Sequence, residues 1–168
     1  MNPLQTFAII LAAYLAVYFE TTFNGLRSFL GAQVDLLPSL MVYAGLSSGW
    51  PTVTGLAIAG GLFYDSQSAN PLGTSILPLF LIGWVIQRYR GLILREQRFA
   101  QFILGAGASA LAPLMGLLIL INTDKQPLIS WFSLWQWILM AVLGGASAPA
   151  WFWTFDKVSL ALSYSRTT

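Results

Sequence analysis

The feature that most constrains this chain is a series of long apolar blocks with almost no charge inside them. A block of roughly 20 apolar residues spans the hydrocarbon core of a bilayer as a helix. Only 8% of the 168 residues are charged and 57% are hydrophobic, with a mean hydropathy of +0.70. A soluble domain carries charge on about a quarter of its residues, so this chain lacks the means to cover itself with a wetted surface. A membrane barrel needs alternating segments of about ten residues. The blocks here are rich in Leu, Ile, Ala and Gly at helical period, which predicts an all-α polytopic bundle in a single transmembrane domain over 1–168.

The apolar blocks and their breaks predict helices over 4–23, 36–49, 52–65, 71–88, 99–121 and 131–155. Met1-Asn2-Pro3-Leu4 lacks the positive n-region of a cleaved signal peptide, and the apolar run after it is too long for one, so it reads as a retained first helix. Asn24 to Asp35 reads as an interfacial loop or short amphipathic helix. Gly49-Trp50-Pro51 interrupts a long apolar run; proline lacks a backbone donor and disfavours helix in the residue before it. This predicts a tight turn between two short helices. Pro71 is expected in the first turn of the fourth helix, a position proline suits. Pro113 is expected to kink the fifth helix, and Asp156 onwards reads as a short polar tail.

Lys and Arg are retained on the cytoplasmic side of a membrane. With six helices and the N-terminus inside, Arg88, Arg90, Arg95, Arg98, Lys157 and Arg166 fall inside, and only Arg27 and Lys125 fall outside. Both termini are therefore expected in the cytoplasm. Five helices with an external N-terminus give much the same split, so charge fixes the C-terminal half and the Trp50-Pro51 turn decides the rest. Trp131, Trp135 and Trp137 are expected at one membrane interface, and Trp151, Trp153 and Phe155 at the other. The Arg88–Arg98 loop reads as a topology signal and an anchor to lipid headgroups.

The chain has no Cys and no His. That excludes zinc sites built on them, haem held by His, iron–sulfur clusters, disulfides, and Cys–His or Ser–His catalysis. No cofactor or metal is called for. A net charge of +2 without a basic stripe gives no footprint for nucleic acid. Two acids, Glu20 and Asp65, lie in or at the ends of spans, where ionisable groups are rarely idle. Either they pair locally or reach the headgroups, or they tie helices or contact a partner. No second carboxylate or base accompanies them convincingly, so the chain does not read as an enzyme. Gly55 and Ala59, Ala57 and Gly61, Gly105 and Ser109, and Gly144 and Ala148 stand one turn apart. Such pairs let helices approach closely, within the bundle or against a partner.

One stretch is more specific. Gly61-Leu62-Phe63-Tyr64-Asp65-Ser66-Gln67-Ser68-Ala69-Asn70-Pro71-Leu72-Gly73 resembles the signature of MreD, the rod shape-determining membrane protein: a Gly-rich third helix ending in Asp, a polar loop, and a Pro/Ser-Leu-Gly opening the next helix. Pro38, the Trp50-Pro51 turn, the charged loop and Pro149-Ala150-Trp151 match in order, so the resemblance covers nearly the whole chain. Ser66 departs from it, since the family commonly has an apolar residue there. The resemblance implies a non-enzymatic membrane scaffold of the bacterial elongation machinery in the inner (cytoplasmic) membrane. Its fold would resemble the substrate-binding component of energy-coupling-factor (ECF) vitamin transporters. Its partners would be a bitopic MreC-like protein and, through it, MreB filaments and the lateral-wall peptidoglycan synthases. Gly61, Asp65, Pro71, Gly73 and Glu20 are the candidate structural or partner-contact residues. At the external end of its helix, Asp65 opposes the helix dipole. The Asn70 amide, backbone N–H groups opening the fourth helix, or a partner's Arg or Lys are the expected compensation. The rivals are a vitamin-binding uptake component of the same fold, with Glu20, Asp35, Asp65 and Asn70 near its cavity, and a membrane enzyme acting on lipid-linked substrates.

Overall fold

The computed structural model of the chain describes residues 3–22, 35–68, 71–93, 95–122 and 131–164. These form six helices: α1 (Pro3–Thr22), α2 (Leu37–Ser47), α3 (Trp50–Gln67), α4 (Ile76–Tyr89), α5 (Arg98–Asn122) and α6 (Trp131–Tyr164). No strand occurs among the described residues. Three helices carry segments long and apolar enough to cross a membrane: Gln5–Thr22, Arg98–Ile121 and Leu134–Lys157. The helices Leu37–Ser47 and Ile76–Tyr89 are apolar but shorter.

The outer surface is unlike that of a soluble protein, with many large apolar side chains exposed. On α1 the inward face is Ile9, Ala13, Ala16 and Val17, at the spacing of one helical stripe, while Phe7, Leu11, Tyr14, Leu15 and Tyr18 point outward. Large apolar side chains on the outward face suit a lipid surround. The centre of the bundle is α2. Every residue from Leu37 to Leu46 is buried, and the helix packs against α1, α3, α4, α5 and α6. A helix hydrophobic on all sides belongs in a core, and at 11 residues its rise is only about 16 Å.

Several boundaries correct the sequence-based expectation. The break after α2 falls at Ser48 and Gly49, and Trp50-Pro51 already lies in α3, with Gly49 as its N-cap. Proline fits there because the first helical N–H groups have no intrahelical partner. The fourth helix starts at Ile76, so Pro71 is not in its first turn; residues 72–75 form a separate turn. The last helix does not end at 155 but continues to Tyr164, because Val158, Leu160 and Leu162 prolong the helix-compatible sequence past Asp156. Phe155 is buried and stacks on Tyr43 of α2 with ring centroids 4.5 Å apart, so it serves the core and not an interface. Trp135 and Trp153 are exposed and lie about 27 Å apart along α6 at 1.5 Å per residue, close to a hydrocarbon thickness. The 23–34 segment with Arg27, Asn70 and the 123–130 loop with Lys125 lie outside the described residues, as does Arg166.

Candidate functional site

The polar chemistry gathers at the end of the bundle where α1 and α3 finish and α2 and α4 begin. Asp65 sits in the last turn of α3, 1% exposed. Its Oδ2 accepts the backbone N–H groups of Gly73 at 2.7 Å and Ser75 at 3.1 Å, and its Oδ1 accepts the Ser75 hydroxyl and, at 3.3 Å, that of Thr74. A carboxylate at a helix C-terminus faces the negative end of the dipole. Here the donors of the following turn supply the compensation, which is why α4 starts late: residues 72–75 fold around the carboxylate first.

Two glycines make that geometry possible. Gly73 has φ +96°, a conformation that side-chain-bearing residues rarely adopt. A Cβ on Gly61 would lie 3.0 Å from the N and Cα of Ile76, so α3 and α4 approach backbone to side there. Pro71 contributes its carbonyl, which accepts the Thr74 hydroxyl at 2.8 Å. Gly61, Asp65, Pro71 and Gly73 are thus brought together in one joint.

Glu20 stands apart from that joint and meets Asp35, so a second carboxylate does accompany it, contrary to the expectation from the sequence. Glu20 Oε1 accepts the N–H of Leu36, and Asp35 Oδ1 accepts the N–H of Leu37 at 3.1 Å. Two carboxylates therefore cap the N-terminus of α2, the favourable end of its dipole. Burial pushes the Asp35 carboxyl up to about 6, against the lowering effect of the Leu37 N–H. The sequence puts Asp35 at the end of a loop, and among the few polar groups of the rival uptake reading, without giving it a capping role. Its position just before Leu37-Pro38 is the available signal, an acid ahead of a proline in the first helical turn. Thr74 and Ser75 carry a weaker signal, Thr-Ser directly before an apolar run being a helix-entry pattern.

Between these two acid-centred joints lies a cleft of about 260 Å³. Its polar wall is Asp35, Tyr64, Thr74 and Ser75, and its apolar wall includes Leu117, Leu120, Trp137 and Met140. The opposite end of the bundle is held differently. The Ser48 carbonyl at the α2–α3 break accepts Gln87 Nε2 at 3.2 Å and Arg90 Nη1 at 3.5 Å, while Thr6 and Thr52 hydroxyls bond at 2.8 Å. Lys157 lies 4.1 Å over the Trp153 ring.

The fold and the site define a helical protein with three helices long and apolar enough to cross a membrane and a carboxylate-tied polar end. Compared with known proteins, the chain matches no family model, no curated protein and no solved structure.

Proposed function

We propose that this chain is a non-enzymatic MreD-like scaffold of the bacterial elongation machinery. It crosses the inner membrane six times with both termini in the cytoplasm, in a fold like the ECF substrate-binding component. It binds an MreC-like bitopic partner, and through it serves MreB and the lateral-wall peptidoglycan synthases. The observation that carries this reading is the Asp65 joint. The residues of the MreD-like stretch converge on a buried carboxylate whose described bonds all go to the Gly73–Ser75 turn of its own chain. Such a carboxylate holds α3 to α4.

Six crossings are compatible with the short central helix. Enclosed by five neighbours, α2 need not match the lipid thickness itself, since irregular backbone at membrane depth is tolerated where protein surrounds it. The Ser48 break also lies against Arg90, on the side where the Arg-rich loop belongs. Co-purification from detergent extract followed by mass spectrometry tests the function. The expected result is an MreC-like bitopic protein at stoichiometric yield; a folded chain that brings none down rejects the scaffold reading.

The cleft supports a second reading, a vitamin-binding uptake component, because small-molecule sites are largely apolar hollows with a few convergent polar groups. Nanomolar binding of a water-soluble vitamin to the purified chain would favour it over the scaffold.

A further inference from the structure

We infer that the cleft between α4 and α5 binds a lipid with an ammonium headgroup, its cationic end on Asp35 and its apolar part against Leu117, Leu120 and Met140. The inference depends on the chain lying in a membrane but not on its having an MreC-like partner.

Three observations lead there. The first is the hydrogen-bond polarity of the cleft wall. The Ser75 hydroxyl gives its proton to Asp65, and the Thr74 hydroxyl gives its proton to Asp65 or to the Pro71 carbonyl. Both oxygens can then only accept, as can the ionised Asp35 carboxylate. An ammonium group offers three donors and no acceptor, so it complements the acceptors of Asp35, Thr74 and Ser75. Among the described residues no basic side chain lines the cleft. The burial that raises Asp35 is also the condition under which a neighbouring cation gains most.

The second observation is size. A cleft of about 260 Å³ lies just below the range for drug-sized ligand sites, roughly 300–1,000 Å³. A packed helix, roughly 10 Å across, needs far more room, so the occupant is a head and part of a chain and not a partner's transmembrane segment. The third is the position. Ala112, Pro113 and Gly116 of α5 leave the wall low where it faces Pro78 and Leu79 of α4, and a Cβ on Gly116 would meet nothing within 4 Å. Small residues at these three positions of α5 leave room between α4 and α5, the side from which the lipid would enter.

The test is native mass spectrometry of the purified chain released from nanodiscs of equal phosphatidylethanolamine and phosphatidylglycerol. Wild type is expected to retain the ammonium lipid about tenfold over the glycerol lipid. Asp35→Asn keeps an acceptor for the Leu37 N–H and is expected to erase the preference. Gly116→Leu adds a side chain to the cleft lining at a position where a Cβ meets nothing within 4 Å, and is expected to reduce retention of both. A circular-dichroism melt of each variant confirms folding. Equal retention of the two lipids by wild type, or retention unmoved by Gly116→Leu, overturns the assignment. If Gly116→Leu releases a co-purified protein while lipid retention stays constant, the cleft seats a protein and the inference falls. Lipid retention is read on the chain alone, so failure of the partner pull-down leaves this result standing.

Discussion

Asp65 owes its tolerance of burial to local chemistry. A buried carboxylate costs several kcal/mol unless hydrogen bonds replace its water, and four donors from three consecutive residues, Gly73 to Ser75, do so. Asp65→Ala removes the acceptor for two backbone N–H groups, each costing about 1–3 kcal/mol when left unsatisfied. The expected outcome is a loss of about 2 kcal/mol or more, read as a lowered thermal midpoint in detergent; an unchanged midpoint rejects the joint as a stabilising device. The acid itself was visible in the sequence, and backbone N–H groups opening the next helix were among its expected partners. The Thr74 and Ser75 hydroxyls were not, because which side of a turn a hydroxyl faces depends on φ angles such as that of Gly73.

At the scale of the helix, the small-residue pairs divide by what they face. Gly105 and Ser109 on α5 meet Gly144 and Ala148 on α6, and this is the most extensive helix pairing in the molecule. A Cβ on Gly105 would come within 2.6 Å of the Ala148 Cβ, and one on Gly144 would fall on the Ser109 side chain. Helices in lipid associate through such close packing. Gly61 likewise meets α4, whereas Gly55 has only the tip of Ile10 nearby, at 3.9 Å. Gly144→Val is therefore expected to push α5 and α6 apart and lower the melting midpoint by several degrees. Gly107→Ala, on an open face of the same α5, should leave it level or slightly raised. Equal effects of the two changes would refute the assigned contact face. Periodicity found these pairs, but it could not tell an interior seam from a partner surface, because both need the same small residues.

For the molecule as a whole, the open question of the sequence was whether α2 and α3 are separate crossings. The turn at Ser48 and Gly49 lies against Gln87 and Arg90 at the end of α4. A six-crossing bundle places both in the cytoplasm. A single cysteine at Ser48, or at the more exposed Trp50, is expected to react with an impermeant maleimide only from the cytoplasmic side. Reaction only from outside would sink the six-crossing arrangement. No native cysteine competes for the label.

The sequence by itself determined that the chain is helical and carries segments long and apolar enough to cross a membrane. It marked the breaks near Trp50 and Pro71 to within a few residues, and the acid on which the α3–α4 joint turns. Those features follow from composition and local backbone chemistry, which act over a few residues. Only the tertiary structure decided that the shortest helix is the centre, that Glu20 and Asp35 cap it together, and that Phe155 turns inward to Tyr43. An apolar residue suits a lipid-facing position as well as a buried one. In a chain with apolar residues on every face, hydropathy therefore cannot say which face is inside; that is fixed by how closely each helix can approach its neighbours.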